Sequence, residues 1–248
     1  MITLGTDMVF VSPHLDDVVL SSGGLMFFFK KKKNIKVVNV FTKGSEPPEI
    51  FFNKRSLLRA GFDDSDSYFK QRKKEDKAVL AGIGVKPINL DFVDAAWRKK
   101  KTFRQNRLTN FIPEINHLYP TKFHYLSGTV DKEDEILMPG ITTALKKIIK
   151  KDAVVFCPLA IGGHVDHLIV RNICQENFSS VVYWSDYPYN LMKNPDKKFI
   201  IRNNLKKSVW TKSLENKEAL INGYETQKRL LFKDHPIKIV PEEYYYHA

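Results

Sequence analysis

Residues 8–17 of this chain, MVFVSPHLDD, join an apolar run to a cluster of polar side chains and set its architecture. The run at 8–11 is short and apolar and stops at Ser12-Pro13, which is typical of a buried strand. A helical pattern then extends over residues 17–33 and ends in a lysine cluster. A buried strand followed directly by a helix predicts the first β–α unit of a parallel sheet.

The same alternation of strand and helix patterns continues along the chain. Further strands are predicted at 35–42, 88–92, 153–157 and 181–184, where β-branched and aromatic residues are dense. Helices are predicted at 68–80, 110–119, 133–151, 165–174 and 210–232, and residues 43–67, rich in Gly and Pro, as a loop-rich insertion. The pattern predicts an α/β, Rossmann-like fold: a largely parallel sheet flanked by helices, in a single domain over residues 1–248.

Composition excludes several classes of protein. The 248 residues are 43% hydrophobic and 12% aromatic, which excludes a mainly disordered chain. The two cysteines, Cys157 and Cys174, form no disulfide framework and fit a reducing compartment. The N-terminus lacks signal-peptide features, and no apolar run is long enough for a membrane span. We therefore expect a cytoplasmic protein.

The charge balance bears on possible partners. Lys and Arg number 40 against 28 acidic residues, a net charge of +12, and lysines greatly outnumber arginines. Specific nucleic-acid recognition relies on arginine, so we expect a lysine-rich solvated surface and no nucleic-acid partner. Two alternatives stay open, namely a basic nucleic-acid-associated protein and an anionic substrate, such as a sugar nucleotide or phospholipid headgroup, steered by the positive field.

Two polar motifs follow predicted strands. The first is Ser12-Pro13-His14-Leu15-Asp16-Asp17, and the second is Gly162-Gly163-His164-Val165-Asp166-His167. In an open parallel sheet, sites form at the carboxyl ends of strands, so these motifs are candidates for one shared site. Within each motif, two possible ligands lie three residues apart, which places them on one face of a helical turn.

This residue set suits a catalytic metal site. Such a site needs three protein ligands and an open position, and imidazole nitrogens with a carboxylate oxygen favour zinc, with ferrous iron as a competitor. Remaining His and Asp side chains could transfer protons, which would complete the requirements for amide hydrolysis. The simpler alternatives are that Asp16 and Asp17 cap a helix, that Gly162-Gly163 is a plain turn, and that the histidines lie on the surface.

The two motifs resemble those of the PIG-L/LmbE family of zinc-dependent N-deacetylases. The family's first motif usually carries Pro and Glu where this chain has Leu15 and Val18, whereas its His-x-Asp-His motif is matched in full. The resemblance implies a hydrolase that removes the N-acetyl group from a small-molecule amino sugar or glycoconjugate of the N-acetylglucosamine type. It implies the following roles: His14, Asp17 and His167 as metal ligands, Asp16 as general base, His164 as electrophile or acid, and Asp166 as a residue that orients an imidazole.

Weaker similarities add substrate-binding candidates. Arg72, within Arg-x-x-Glu, resembles a family arginine that contacts substrate, and Asp94 and Arg98 fall in a segment that resembles the family's pocket lining. The alternative for Arg72 is a surface ion pair with Glu75. A catalytically silent, glycan-binding relative is the alternative function, and the sequence leaves the oligomeric state open.

Overall fold

A computed structural model of the protein describes residues 7–101, 111–233 and 235–247, and within them one sheet organises the molecule. Its strands are β1 (Asp7–Ser12), β2 (Asn34–Lys43), β3 (Ile88–Val93), β4 (Val154–Pro158), β5 (Val181–Trp184), β6 (Leu205–Trp210) and β7 (Glu242–His247). They lie in the order β3-β2-β1-β4-β5-β7-β6. Strands β1 to β5 pair in parallel, and β7 runs antiparallel to both β5 and β6.

Helices cover both faces of the sheet. They are α1 (Asp17–Phe29), α2 (Phe51–Ala60), α3 (Ser65–Ala81), α4 (Lys122–Tyr125), α5 (Lys132–Glu135), α6 (Leu137–Ile148), α7 (Val165–Asn177), α8 (Lys197–Arg202), α9 (Leu214–Asn222) and α10 (Glu225–Phe232). None of the helices in the described ranges combines the length and apolarity that crossing a bilayer would require.

The alternating side chains of the strands divide the core into two layers. Val9 and Val11 of β1 point to the layer that α6 and α7 complete, whereas Met8 and Phe10 point to the layer with α1 and α3. Because successive strand residues face opposite sides, a strand apolar at every position must be buried on both faces. The apolar run at 8–11 therefore makes β1 a central strand, as the parallel-sheet prediction requires.

The strand order places a topological switch point in the middle of the sheet. From β1 the chain continues to β2 on one side, and β4 pairs with the other side of β1. Connections that leave neighbouring strands in opposite directions open a crevice at their carboxyl ends, where α/β proteins bind ligands. The two polar motifs follow β1 and β4, so the fold brings both of them to this crevice.

The five predicted strands and the α/β, largely parallel architecture are confirmed, while several other predictions need correction. The region 43–67 is not mainly loop, because it contains α2 and the start of α3, and Gly61, at φ +84°, marks the end of α2. The predicted helix at 133–151 is two helices, α5 and α6. Residue 110 of the predicted helix 110–119 lies outside the described residues. Within 111–119, Phe111 is helical and Pro113–Asn116 form a 3-10 turn, so the helix does not continue to residue 119.

The C-terminal region departs most from prediction. The long helix expected at 210–232 is instead the end of β6 followed by α9 and α10. Strands β6 and β7 were not predicted. The sequence of β6, LKKSVW, carries the exposed lysines of an edge strand, and that of β7, EEYYYH, begins with two glutamates, so neither has the apolar pattern of a central strand.

Candidate active site

The loop after β1 is folded by its own polar side chains. Ser12 Oγ donates to the carbonyl of His14 at 2.6 Å and accepts from the backbone N–H of Val18 at 3.2 Å. The backbone N–H of His14 donates to Asp17 Oδ2 at 2.9 Å. These bonds close the loop onto the first turn of α1 and hold His14 and Asp17 side by side.

Three donor atoms from the two motifs meet at one point. Asp17 Oδ2 lies 3.1 Å from His14 Nδ1 and 3.2 Å from His167 Nε2. Ligand atoms of these three residues all lie within 4.8 Å of one another, and all three residues are buried. Two imidazole nitrogens and one carboxylate oxygen are the donor set of a three-ligand catalytic metal site, so the residues present fit a divalent cation.

A second layer of carboxylates holds the two imidazoles by their other nitrogens. His14 Nε2 lies 3.1 Å from Asp166 Oδ2, and His167 Nδ1 lies 2.7 Å from Asp186 Oδ1. Such contacts fix the orientation of ligating histidines and leave the inner nitrogen free for a metal. The structure thus brings Asp166 to an imidazole, as expected, and adds Asp186, to which the sequence analysis gave no role.

The two imidazoles and the Asp17 carboxylate shift one another's pKa values strongly. Burial opposes a charge on His14, but the carboxylates of Asp94 and Asp17 outweigh it and raise the pKa of His14 well above 6.5. Burial likewise opposes a charge on His167, and Asp17 with Asp186 raises its pKa to about 9. The two imidazoles in turn hold the pKa of Asp17 well below 3.8 despite its burial. A bound cation would replace the protons that the imidazoles otherwise hold here.

Arg98 lies behind the site. It donates to Asp166 and to Asp134, and its Nε donates to the carbonyl of Val93 at 3.1 Å. The hydroxyl of Tyr119 also donates to Asp134 at 2.8 Å. Arg98 is absent from the cavity wall, so its contacts give no support to the substrate-binding role expected of it and instead fix Asp166 in place.

His164 is oriented differently from the other two histidines. Its side chain caps α7, with Nδ1 accepting from the backbone N–H of Asp166 at 3.2 Å. The proton of the neutral ring therefore belongs on Nε2. Burial and the charge of His14 hold the pKa of His164 well below 6.5. His164 also belongs to a second possible ligand group with His14 and Asp166, but Asp166 is already engaged by Arg98.

Asp16 stands beside the donor cluster and is held by Arg72. Arg72 Nη2 donates to Asp16 Oδ1 at 2.8 Å, and both residues are buried. Burial raises the pKa of Asp16. The Arg72 guanidinium opposes this rise, and the charge of Asp17 adds to it. Arg72 makes no surface ion pair with Glu75, because Glu75 instead accepts from the hydroxyl of Thr226 at 2.7 Å.

The simpler alternatives for the motifs have different outcomes. Asp16 occupies the N-cap position of α1, but its side chain makes no capping hydrogen bond. Gly162 and Gly163 do form a turn, with φ values of +103° and +77° that favour glycine. His164 and His167 are buried rather than on the surface.

A cavity of about 380 Å³ opens over these residues, within the range of small-molecule sites. Asp16, Asp17, Asp94 and His164 line it. Asp94 Oδ2 lies 3.5 Å from His14 Nε2, and its Oδ1 accepts from the backbone N–H of Ala96 at 2.9 Å. Aromatic side chains also line the cavity: Phe52, Tyr68, Trp97, Tyr125, Tyr187 and Tyr189.

Several known proteins are similar to this chain in sequence or in fold. A curated relative, the 2'-N-acetylparomamine deacetylase of Niallia circulans, is 28% identical over 250 residues, covering 90% of this chain and 82% of the relative. A deacetylase of the teicoplanin biosynthesis pathway, solved as a bog complex, is 22% identical with a TM-score of 0.75 and covers 97% of each chain. A zinc-inhibited form of teicoplanin deacetylase Orf2, 21% identical, has a TM-score of 0.73 and likewise covers 97% of each chain.

The model of the PIG-L family, described as GlcNAc-PI de-N-acetylase, matches residues 9–178. The match begins in β1 and ends just after α7, so it includes both polar motifs and every donor atom of the cluster. Because it covers more than half of the chain and the site within it is intact, this protein belongs to the PIG-L family.

Proposed function

We propose that this protein is a metal-dependent N-deacetylase that hydrolyses the acetamide of an N-acetylglucosamine-type amino sugar. One observation carries the proposal: His14, Asp17 and His167 meet at a single point, and two of them line one cavity together with a separate buried carboxylate, Asp16. Amide hydrolysis by water needs an electrophilic centre that polarises the carbonyl and a base that takes a proton from the water. The base must lie next to that centre without being one of its ligands. The residues at the cavity floor support both roles, with a donor set that suits a cation and a carboxylate beside it.

The metal ligands we assign are His14 Nδ1, Asp17 Oδ2 and His167 Nε2. Zinc suits this donor set, and ferrous iron is the competing candidate. When bound, such a cation polarises an amide carbonyl and lowers the pKa of water. Asp166 and Asp186 keep the two imidazoles turned toward this point, which favours binding before substrate arrives.

Asp16 is the general base in this proposal. Arg72 occupies its Oδ1, so Oδ2 is the oxygen that accepts the proton of the attacking water. Burial raises the pKa of Asp16, which makes its carboxylate a better proton acceptor, and the Arg72 guanidinium opposes that rise. The same oxygen can then deliver the proton to the departing amine. Arg72 thereby acts on the reaction by positioning Asp16.

His164 stabilises the oxyanion in this proposal. With Nδ1 accepting from the backbone of α7, the neutral ring presents Nε2–H as a donor. A fixed donor of this kind stabilises the negative charge that develops on the carbonyl oxygen during attack. Because its pKa is held low, His164 stays neutral. It can therefore donate a hydrogen bond without adding a positive charge next to a bound cation.

The relatives and the cavity both support an amino-sugar substrate. One relative acts on an N-acetylated paromamine, and structural neighbours are deacetylases of teicoplanin biosynthesis. The aromatic side chains of the cavity can stack on a sugar face, and Asp94 is our candidate for binding a sugar hydroxyl. An N-acetylhexosamine, free or within a conjugate, fits this chemistry.

The test is metal reconstitution followed by an amine-release assay. Protein stripped with a chelator receives one equivalent of zinc, or of ferrous iron without oxygen, and is offered N-acetylglucosamine derivatives. One equivalent matters because a structural neighbour has a zinc-inhibited form. We expect amine and acetate to appear only after metal is added. Stoichiometric metal with no release from any substrate would indicate a silent glycan-binding relative, and absence of metal binding would refute the site.

A further inference from the structure

The cavity above the site has a charge pattern that its catalytic floor does not explain. Three cationic side chains, Arg59, Lys122 and Lys233, line it in addition to the buried Arg72. All three are exposed. Across residues 7–101, 111–233 and 235–247, no carboxylate lies within 4.0 Å of their charged nitrogens.

We infer that the substrate carries an anionic group, a phosphate ester or a carboxylate, attached to the amino sugar, and that Arg59, Lys122 and Lys233 bind that group. The inference rests on the proposed function and names its substrate class. The acetamide would lie against the catalytic floor while the anion lies among the three cations.

Arg59 belongs to a stripe of α2 that faces the cavity. Phe52, Ser56 and Arg59 all line the cavity, and their spacing of four and then three residues puts them on one helix face. Lys54 and Arg55 of the same helix are also exposed but do not line the cavity. The direction of α2 therefore selects Arg59 out of three exposed basic residues.

Lys233 reaches the cavity from the helix that packs on α2. Gln227 and Leu230 of α10 line the cavity, and Leu230 packs against the apolar cluster that contains Leu57 of α2. Lys233 directly follows α10 with φ +45°, in the left-handed region that helix ends usually give to glycine. A lysine is disfavoured there relative to glycine, so a long cationic side chain stands at a position where backbone conformation does not favour it.

Lys122 reaches the cavity from a third element. It begins α4, whose Tyr125 has its ring 6.1 Å from that of Phe52 and 5.1 Å from that of His164. Helix α4 thus contacts both α2 and the catalytic floor. Three different elements bring one cation each to the same cavity.

The floor and the outer wall therefore favour different parts of a substrate. The carboxylates that line the cavity, Asp16, Asp17 and Asp94, are buried and make the floor unfavourable for an anion. Unpaired cations farther out favour an anion through charge-assisted hydrogen bonds. A neutral acetamide at one end and a negative charge at the other match this arrangement.

The experiment compares anionic and neutral substrates in two triple variants. The test variant is Arg59→Gln with Lys122→Gln and Lys233→Gln. The control is Lys31→Gln with Lys146→Gln and Lys206→Gln, which removes the same charge from exposed positions outside the cavity. Substrates are N-acetylglucosamine, its 1-phosphate and 6-phosphate, uridine-diphosphate N-acetylglucosamine and N-acetylmuramic acid, so phosphate and carboxylate are distinguished.

We expect the metal-loaded protein to prefer at least one anionic substrate over N-acetylglucosamine in kcat/KM. In the test variant, the ratio of kcat/KM for the anionic substrate to that for N-acetylglucosamine should fall roughly 10-fold, the combined effect of three partly exposed charge contacts. The control variant should keep the wild-type ratio. The preference should also weaken with added salt. Equal kcat/KM for neutral and anionic substrates, or equal losses in both triple variants, would overturn the inference.

A binding arm separates this inference from the proposed function. Calorimetry with glucosamine 1-phosphate and glucosamine needs no turnover. Tighter binding of the phosphate that the test variant loses supports the anion site even if no substrate is deacetylated, in which case the proposed function alone fails. Equal binding of both compounds, together with turnover of N-acetylglucosamine, would leave the deacetylase proposal standing and refute the anion site.

Discussion

Two clusters of buried charge in this molecule have opposite surroundings. At the carboxyl ends of β1 and β4, Asp16 and Asp17 line an open cavity. Elsewhere, Glu242 of β7 pairs with Lys217 of α9, with Glu242 Oε1 3.4 Å from Lys217 Nζ. Neither residue lines that cavity.

The second cluster has a structural task. Helix α1 is kinked at Ser22, where φ is −135°. Glu242 accepts from the backbone N–H groups of Gly24 at 2.8 Å and of Leu25 at 3.0 Å, so it satisfies donors that the kink leaves free. Tyr244 donates to the same carboxylate at 2.8 Å. Burial of charge alone therefore does not mark a functional site; the distinguishing feature is a carboxylate that lines a cavity.

The largest effect that tests this distinction is on catalysis. Asp16→Asn removes the base without removing a ligand, so we expect kcat/KM to fall by roughly 10³-fold while the metal content stays unchanged. Amine release and elemental analysis on the same preparation measure both. Glu242→Gln is the matched control, since it removes a buried carboxylate outside the cavity. Wild-type turnover in the Asp16 variant would contradict the assigned role.

Removing one metal ligand tests whether the assigned residues bind the metal. His167→Ala leaves two of the three assigned ligands, so we expect the variant to lose its metal on dialysis and its activity with it. Elemental analysis checks this loss, with His235→Ala, a change at an exposed histidine, as the control. Full metal retention in the His167 variant would rule out the ligand set.

Changes in the cluster of Glu242 and Lys217 should lower the free energy of unfolding. Glu242→Gln leaves Lys217 buried without its counter-charge, and we expect a loss of about 3 kcal/mol in the free energy of unfolding. Burial already lowers the pKa of Lys217, which Glu242 opposes. Urea denaturation measures the loss, and Lys207→Gln, at an exposed pair with Glu243, should change it far less. A loss no greater than that of this control would show that the cluster is not structural.

The difference between the clusters also explains what the sequence could predict. His14, Asp17 and His167 lie in short motifs after apolar strands, and a parallel sheet brings such strand ends together. Glu242 and Lys217 show no such signal, because β6 and β7 were not recognisable as strands and their pairing depends on distant contacts. Asp186 does follow a predicted strand, but only the pairing of β4 with β5 shows that it reaches His167. Motif residues are local information, whereas their supporting carboxylates are not.

Asp186 offers a smaller test of the first cluster. Asp186→Asn keeps all three ligands but weakens the contact that orients His167, so we expect metal affinity to fall roughly 10- to 100-fold. Competition with a chromogenic chelator measures the affinity. Asp196→Asn, which alters the N-cap of α8, is the control for an aspartate with structural hydrogen bonds. Unchanged affinity in the Asp186 variant would mean that His167 is held by other contacts.

Another buried carboxylate, outside both clusters, sharpens the comparison through pH. Asp76 is fully buried and accepts from the amide of Asn39 and the hydroxyl of Tyr224, each at 2.7 Å. Both donors are neutral, and burial raises the pKa of Asp76 to about 7, in contrast to Asp17 between two imidazoles. Between the unfolded pKa near 3.8 and the folded value, the native state holds the extra proton. Stability contributed by this group is therefore lost as pH rises through that window, at up to about 1.4 kcal/mol per pH unit.

Asp76→Asn should remove that slope, because an amide does not titrate. We expect the free energy of unfolding of the variant, relative to the wild type, to increase from pH 4 to pH 7 and to level off above it, in urea titrations on metal-free protein. Asp152→Asn, at an exposed aspartate just before β4, should follow the wild type at every pH. Parallel curves for wild type and the Asp76 variant would mean that the carboxylate is already ionised in the folded protein, and that neutral donors compensate a buried charge as well as the imidazoles around Asp17 do.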